Sequence, residues 1–277
     1  MTLACEFHPP IRDGHDGVLL VALHGLWGDK SEFSPIADAL RHWAWLGIDL
    51  PGHGQSKGVQ VTSLAQTCER VCQALAPYAS FRLVLLGYSL GARVAQYGLA
   101  MQLWPDNLLG VIAEGGHLGL TSESERKQRA IHDHQWAERF CRYPIETVLA
   151  AWYRQNVFAT LSCGQRRALI ERRKHNDGRA VAQMLLATSL ATQPNLGPYL
   201  SVHQDLLHVL CGANDQTFCR LYTRRLWPFS TLANAGHNAH RDNPQGFASL
   251  IHGRVTQWVR GATVSEFNGF DKVMSVN

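Results

Sequence analysis

A reactive serine is indicated by residues 87–91, Gly-Tyr-Ser-Leu-Gly, which lie between the apolar run 82–86 and a helical pattern that begins at residue 92. A strand, a sharp turn with a central serine and a helix together form a nucleophile elbow, which exposes the serine hydroxyl at the end of a sheet. The two glycines permit the tight turn because backbone segments there come too close for a Cβ atom. The N-terminus of the following helix stabilises negative charge. The pattern therefore predicts that Ser89 is a catalytic residue.

A serine of this kind needs a histidine within hydrogen-bond reach and an acid that orients the histidine. In proteins with this elbow the chain order is serine, acid, histidine. Asp215 follows a strand-like run, and His237 follows a glycine after the last predicted strand. A role as a simple loop cap is the alternative for Asp215. His53 and His240 are alternatives to His237, but His53 precedes the acid and His240 lacks the preceding glycine. We predict a triad of Ser89, Asp215 and His237.

Backbone N–H groups complete the predicted site. An oxyanion hole in this arrangement uses the N–H of the residue after the serine and one from the loop after an earlier strand. These are Leu90 and Leu26, and Leu26 follows a His-Gly pair at the end of an apolar run.

The elements that position these residues are apolar runs that alternate with helical patterns. Continuous apolar runs are typical of strands buried on both faces of a parallel sheet. Alternation with helices predicts a mostly parallel, doubly wound α/β sheet, which binds its ligands at the carboxyl ends of the strands. The predicted strands are 18–23, 43–49, 82–86, 109–114, 206–212 and 230–233.

Between residues 118 and 194 the strand-like runs stop and helical patterns dominate. We predict that this segment is an all-helical lid, inserted between two parts of one core domain, 1–117 and 195–262. Such an insertion folds over the strand ends and covers the site. The remaining tail, 263–277, has weak periodicity, and we expect disorder there.

The predicted lid is cationic. Residues 122–179 contain twelve Lys and Arg but seven Asp and Glu. Because guanidinium groups bind carboxylates through paired hydrogen bonds, this predicts an anionic substrate. A solvated basic helix face is the alternative for most of these side chains. Arg93 differs from them because it lies one helical turn after Ser89, where an unpaired charge is costly unless it faces the pocket.

Composition excludes several classes of protein. The net charge of +4 is mild, whereas nucleic-acid binding requires a concentrated basic face. No run of 18 apolar residues and no basic, apolar leader is present. The seven cysteines are an odd number and are expected to be reduced thiols. Cys68 and Cys72 could form a metal pair, although buried small residues are the simpler interpretation. We predict a cytoplasmic monomer with no metal or cofactor and no membrane or nucleic-acid partner.

The chain resembles the α/β-hydrolase superfamily over residues 17–260. Within it, the chain is similar to the 2-succinyl-6-hydroxy-2,4-cyclohexadiene-1-carboxylate synthase family of the menaquinone pathway. The resemblance rests on residues 87–95, 114–117, 135–136, 152–159 and 235–244. It departs from the family at Ala92, where glycine is common, and at Leu118, where proline is common. Neither departure removes a reactive group.

The resemblance implies an α/β-hydrolase fold and a lyase reaction. The family eliminates pyruvate from 2-succinyl-5-enolpyruvyl-6-hydroxy-3-cyclohexene-1-carboxylate, which carries several carboxylates. By this analogy Ser89, assisted by the histidine and the acid, is the base that removes the ring proton. The residues that align with substrate-binding positions of the family are Arg93, Arg129, Arg173, Tyr88 and Trp152. A serine hydrolase that acts on esters, thioesters or carbon–carbon bonds shares the same triad and fold, and it remains the alternative together with a non-catalytic binding module.

Overall fold

A single sheet runs through the part of the chain that the computed structural model describes, which is residues 2–11 and 17–273, with side chains to residue 262. Its seven strands are ordered β1-β3-β2-β4-β5-β6-β7, and every neighbouring pair is parallel except β1 with β3. The strands are β1 Cys5–His8, β2 Val18–Leu23, β3 Ala44–Ile48, β4 Arg82–Tyr88, β5 Leu108–Glu114, β6 Leu207–Gly212 and β7 Ser230–Leu232.

The predicted parallel, doubly wound sheet is confirmed by the strand pairing. Its central strands are buried on both faces. All six residues of β2 are buried, as are all five of β3. Two separate apolar clusters pack on the two faces of the sheet, which is why these strands read as unbroken apolar runs. The edge strand β1 was not predicted, since three of its four residues are exposed and no apolar run marks it.

Eleven α-helices are present in the described residues. They are α1 Ser34–Leu40, α2 Leu64–Leu75, α3 Leu90–Ala100, α4 Glu123–Arg142, α5 Ile145–Trp152, α6 Cys163–Arg173, α7 Gly178–Ala187, α8 Gly197–Leu200, α9 Gln216–Arg224, α10 Ala239–Asp242 and α11 Pro244–Val273. The last helix continues beyond Val259, where the apolar periodicity in the sequence stops. Residues 274–277, and the side chains from 263 onward, lie outside the described residues, so the expected disorder of the tail stays a prediction.

Helices α4 to α7 all lie between β5 and β6 in the chain, in the segment expected to form the lid. Two of them begin with capping boxes, Ser122 with Glu125 and Ser162 with Gln165, which satisfy free N–H groups at the helix start. Their apolar faces form a third cluster that also includes Trp27 from the loop after β2. These four helices, called the lid below, therefore pack against the loop that follows β2.

The cysteines are free in the structure. Cys68 is buried, and its thiol lies 3.5 Å from the carbonyl oxygen of Val94. Among the described side chains, those of residues 2–11 and 17–262, no group of three or more His, Cys, Asp or Glu is placed to hold a metal ion. In the same residues no helix is both long and apolar enough to cross a membrane.

Replacing Gly91 with alanine is expected to destabilise the protein by about 1–3 kcal/mol, the usual cost of overpacking a filled site. A Cβ atom at Gly91 would lie 2.0 Å from the carbonyl oxygen of Leu23, which is backbone and cannot move aside easily. Gly253→Ala in α11 is the matched control, since nothing lies within 4 Å of its added Cβ atom. Urea unfolding measures both variants. Equal stability of Gly91→Ala and the wild type would contradict the close approach of α3 to β2.

Candidate active site

Ser89 occupies the turn between β4 and α3 with φ of 50° and ψ of −104°. This conformation is strained for a residue with a side chain, and such strain is concentrated at functional sites. The backbone N–H of Ser89 donates to the carbonyl oxygen of Glu114 at 2.8 Å, which ties the turn to the end of β5. A Cβ atom at Gly87 would lie 2.5 Å from the backbone of α3, so the glycine is required for the turn. The elbow predicted from the sequence is thus present.

Asp215 and His237 are buried and hydrogen-bonded to each other. His237 Nδ1 lies 2.8 Å from Asp215 Oδ2. Because a carboxylate only accepts, Nδ1 carries the proton and Nε2 is left as an acceptor. Asp215 Oδ1 accepts from the backbone N–H of Phe218 at 3.1 Å, so Asp215 also caps the N-terminus of α9. The Phe218 ring stacks on His237 with centroids 5.0 Å apart. Together these contacts fix the orientation of the imidazole.

A cavity of about 670 Å³ lies at the carboxyl ends of the strands, between the core and the lid. Eight of the ten site residues predicted from the sequence line it or orient a residue that does. Those that line it are Ser89, His237, Leu26, Leu90, Arg93, Arg129 and Trp152. Asp215 reaches the cavity through His237. The structure therefore brings the predicted serine, histidine and two of the three predicted arginines to one cavity.

The two N–H groups expected to form an oxyanion hole are at the edge of this cavity. Leu90 is the first residue of α3, so its N–H has no carbonyl partner within the helix. Leu26 lies in a turn closed by the hydrogen bond from Gly28 N–H to the Gly25 carbonyl, at 2.9 Å. The next N–H, of Trp27, donates to His53 Nε2 at 3.1 Å. These bonds hold the loop that presents Leu26.

The arginine side chains in the cavity are held by bonds that leave donors free. Arg93 donates from Nε to Gln193 Oε1 and from Nη2 to the Thr188 carbonyl, each at 2.6 Å. Arg129 donates from Nε to Asp133 at 2.8 Å. Burial, with the nearby Arg129 guanidinium, lowers the pKa of Arg93 to about 9. Two neighbouring cations in a cavity make a site for an anion with at least two negative groups.

Tyr88 and Arg173, which the resemblance assigned to the pocket, are not among the described residues that line the cavity. Tyr88 is 2 % exposed and packs behind the wall, with its ring centroid 5.3 Å from that of His237. Arg173 is 4 % exposed, and its Nη2 lies 2.9 and 2.8 Å from the two carboxylate oxygens of Glu32. Its Nη1 donates to the hydroxyl of Tyr153. The guanidinium is thus directed at a protein carboxylate.

Glu32 is the centre of a buried ionic cluster that no sequence pattern predicted. Besides Arg173, it accepts from Arg241 Nε at 2.8 Å and faces His240 Nε2 at 3.3 Å. His240 Nδ1 lies 2.7 Å from Glu114, so both ring nitrogens face carboxylates and both carry protons. Burial alone lowers the pKa of His240, but the two carboxylates raise it overall. The cluster joins the loop after β2, the lid and the segment after His237.

Six polar residues that line the cavity were also not proposed as site residues: His117, His132, Gln155, Asn156, Thr188 and Thr217. His117 follows the Gly-Gly pair at the end of β5, and this position was the available signal for it. His117 Nδ1 accepts from the N–H of Gly119 at 3.0 Å, so Nε2 carries the proton. Burial, together with Arg93 and Arg129, lowers the pKa of His117 to about 3, and the ring is neutral. His132 and Thr188 lie in the lid, where helix phase read from sequence is too coarse to select them.

Acid is expected to destabilise the protein before its carboxylates titrate. Burial and the neighbouring His24 lower the pKa of His53 to about 3. The ring accepts from the backbone N–H of Trp27 through Nε2. A histidine with a lowered pKa stabilises the fold above pH 6.5, and the contribution is lost as the pH falls toward 3. Each such group contributes up to about 1.4 kcal/mol per pH unit. Urea unfolding between pH 6.5 and 4.5 measures the slope.

His53→Gln is expected to reduce this slope by up to about 1.4 kcal/mol per pH unit, since glutamine does not titrate there. His175→Gln, at an exposed position in the lid, is the matched control. An unchanged slope in His53→Gln would contradict a neutral, buried His53.

Comparison with known proteins gives a family match over most of the chain. The sequence model of the Alpha/beta hydrolase family matches residues 18–250. Two curated relatives carry the name 2-succinyl-6-hydroxy-2,4-cyclohexadiene-1-carboxylate synthase. The one from Serratia proteamaculans is 47 % identical over 232 residues, covering 84 % of this chain and 91 % of the relative. The one from Yersinia enterocolitica is 43 % identical over 262 residues, covering 93 % and 95 %.

Solved structures agree on the fold. The structure of MenH from S. aureus superposes with a TM-score of 0.81 at 21 % identity, covering 93 % of this chain and 99 % of that one. A thermophilic esterase from Thermogutta terrifontis superposes with a TM-score of 0.75 at 18 % identity, covering 92 % and 93 %. Because MenH and an esterase share the same architecture, these superpositions identify the fold and do not identify the reaction.

Proposed function

Since the chain belongs to the α/β-hydrolase family, and within it to the 2-succinyl-6-hydroxy-2,4-cyclohexadiene-1-carboxylate synthases, we propose that it is a lyase of menaquinone biosynthesis. The proposed reaction eliminates pyruvate from 2-succinyl-5-enolpyruvyl-6-hydroxy-3-cyclohexene-1-carboxylate. The relatives' names and the length of the matches support this reaction, and the cavity supports it independently.

One observation carries the proposal: Arg93 and Arg129 line the same cavity as Ser89 and His237. An ester hydrolase needs the serine, the histidine and an oxyanion hole, but it does not need two cations beside them. The proposed substrate carries three carboxylates, on the ring, the succinyl chain and the enolpyruvyl group. Guanidinium groups with free N–H donors suit such a substrate because each can bind one carboxylate through paired hydrogen bonds.

The proposed first step is removal of the proton from the ring carbon that bears the succinyl group. Ser89 Oγ takes this proton while passing its own to His237 Nε2, which is the acceptor left by the bond from Nδ1 to Asp215. Asp215 then stabilises the imidazolium that forms. The N–H groups of Leu26 and Leu90 stabilise the negative charge that develops on the succinyl ketone oxygen.

The second step expels the enolpyruvyl group. The electron pair from the broken C2–H bond forms C2=C3, the C3=C4 pair moves to C4=C5, and the C5–O bond breaks. The departing enolpyruvate accepts the proton from His237 and becomes pyruvate, which restores the triad. Atoms and charge balance without water, oxidant or metal. In this mechanism the Ser89 oxygen never bonds to carbon.

Further properties of the protein stay proposals. We propose that it acts in the cytoplasm, where its free cysteines remain reduced. We also propose that it acts as a monomer on a free small molecule, with no cofactor, nucleic acid or membrane partner. Gel filtration at assay concentration tests the monomer, and full activity after dialysis against a chelator tests the absence of a metal.

The test of the proposed function compares two activities of one preparation. Pyruvate release from the enolpyruvyl substrate is followed with a coupled lactate dehydrogenase, and hydrolysis of p-nitrophenyl acetate is followed on the same protein. The rate of pyruvate release without protein is subtracted. We expect efficient pyruvate release and slow ester hydrolysis. Efficient ester hydrolysis with no pyruvate release would instead support the serine hydrolase.

A further inference from the structure

Asp133 is a buried carboxylate on α4 that faces three side-chain partners. Its Oδ1 atom lies 2.8 Å from Arg129 Nε and 3.3 Å from His132 Nδ1, and its Oδ2 atom accepts from Ser189 Oγ at 2.7 Å. The Asp133 side chain is 1 % exposed, whereas that of Arg129 is 33 % exposed. The three bonds offset the desolvation of the carboxylate, which would otherwise be costly. Asp133 is thus held firmly inside the lid.

The bond to Arg129 determines which of its nitrogens are available. Asp133 occupies Nε, and in the described residues no other protein group bonds the two terminal nitrogens. These two nitrogens form a pair that can bind both oxygens of one carboxylate. Since Arg129 lines the cavity, the Asp133 bond orients the guanidinium and leaves its paired donors for a ligand.

His132 also bonds to Asp133, and its ring contacts a second side chain of α4. Its Nε2 accepts from Trp136 Nε1 at 3.1 Å, so Nδ1 carries the proton and donates to Asp133. The ring is therefore held at both nitrogens and lines the cavity beside Arg129. The donors of His132 and Ser189 are thus directed at Asp133, and they do not compete with Arg129 for a substrate carboxylate.

The bond to Ser189 connects Asp133 with the second cavity arginine. Ser189 belongs to the segment after α7, which also supplies the Thr188 carbonyl and the Gln193 amide that hold Arg93. Arg93 is on α3 of the core, whereas Arg129 is on α4 of the lid. The chain of bonds from Arg129 through Asp133 and Ser189 therefore fixes the two guanidinium groups relative to each other.

We propose that Asp133 is a positioning residue for the substrate, a role that rests on the proposed function. It holds Arg129 in the orientation that binds one substrate carboxylate, and through Ser189 it sets the distance of this site from the one at Arg93. Asp133 touches no substrate itself. Its removal weakens substrate binding because Arg129 is then free to turn away from the cavity.

The experiment measures substrate affinity without turnover, by calorimetry in the Ser89→Ala background. Asp133→Asn keeps the side-chain size and an acceptor for Ser189 but removes the charge that holds Arg129. We expect it to weaken binding of the enolpyruvyl tricarboxylate about tenfold, as for loss of one oriented charge-assisted contact. In the additional Arg129→Ala background, the same substitution is expected to change the affinity by less than about twofold, because the two act as one unit.

Ser189→Ala tests the bond between Ser189 and Asp133 separately. It leaves the Arg129 bond intact, and we expect a smaller loss of affinity, about two- to fivefold, as for one neutral hydrogen bond. Thermal unfolding accompanies each affinity measurement. If Asp133→Asn does not fold, Asp133→Glu replaces it in the same cycle, because it keeps the charge and displaces the carboxylate by one methylene.

The outcomes separate the two proposals. The positioning role would be overturned if Asp133→Asn weakened binding equally in the Ser89→Ala background and in the Ser89→Ala, Arg129→Ala background. It would also be overturned if Asp133→Asn left the affinity unchanged while Arg129 is present. Either result leaves pyruvate release by the wild type, and so the proposed function, intact. Absence of pyruvate release by the wild type would overturn the proposed function. The affinity measurements on the Asp133 and Arg129 variants would still test the positioning role of Asp133. A loss that disappears with Arg129 supports positioning over a purely structural effect.

Discussion

Replacing Ser89 with alanine is expected to lower kcat for pyruvate release by about 10²–10⁴-fold, the usual contribution of a positioned acid–base group. The substitution removes the proposed base but neither the cavity arginines nor the two oxyanion N–H groups. KM is therefore expected to change little. Alanine fits the same space, so the free energy of unfolding is expected to stay within about 0.5 kcal/mol of the wild type. Steady-state pyruvate release and urea unfolding measure these quantities.

Ser124→Ala provides the matched control, because Ser124 is an exposed serine on α4. Its kcat and KM are expected to equal those of the wild type. Wild-type kcat in Ser89→Ala would contradict the account, since another group would then remove the ring proton. A large rise in KM at unchanged kcat would also contradict it, because Ser89 would then bind substrate without acting on the proton.

Replacing Arg173 with leucine is expected to destabilise the protein by about 3–5 kcal/mol, the usual cost of removing one partner from a buried ion pair. Arg173 is bonded to both oxygens of Glu32 and to the Tyr153 hydroxyl. Its loss leaves Glu32 buried with Arg241 and His240 only. The measured quantities are the free energy of unfolding in urea and the KM of the folded protein, which is expected to be nearly unchanged.

Arg172→Leu is the matched control, since Arg172 is the preceding residue of α6 and is exposed. Its effect on stability is expected to stay below about 1 kcal/mol. Arg129→Leu provides the opposite comparison, with a raised KM and little loss of stability. If Arg173→Leu instead raised KM tenfold at unchanged stability, Arg173 would bind substrate, as its alignment with the family's substrate arginines implied.

The parallel strands were predictable because burial on both faces leaves a direct mark on the sequence. The six residues of β2 are all apolar and all buried. Strand β1 leaves no such mark, since it pairs on one side only and is largely exposed. The extension of α11 past Val259 was missed for a related reason, because the apolar periodicity ends there while the backbone continues as a helix to Val273.

The positions of the triad residues were predictable because each follows a strand end. Ser89, Asp215 and His237 come directly after the local signals that mark β4, β6 and β7. The ionic cluster around Glu32 has no local signal, because its partners Arg173 and Arg241 lie 141 and 209 residues away. A sequence shows that a residue is charged, but whether it meets substrate or a protein partner depends on long-range packing.

Arg93 is a charged residue whose position near the cavity could be predicted from the sequence. Its position one turn after Ser89 placed it near the cavity, since a helix of fixed geometry follows the elbow. Arg129 and Arg173 lie on separate lid helices, and no local sequence pattern shows which of them faces inward. In the structure Arg129 lines the cavity and Arg173 faces Glu32. Among the described residues, two arginines therefore line the cavity, Arg93 and Arg129.

The fate of one ring hydrogen tests the proposed elimination most directly. A substrate that carries deuterium at C2, the carbon that bears the succinyl group, is converted in a single turnover with the protein in excess. The measurement compares the deuterium released to solvent with the pyruvate formed. We expect equal amounts of the two, because the C2–H bond must break for each pyruvate that leaves. Pyruvate formed while deuterium remains on the ring would contradict it.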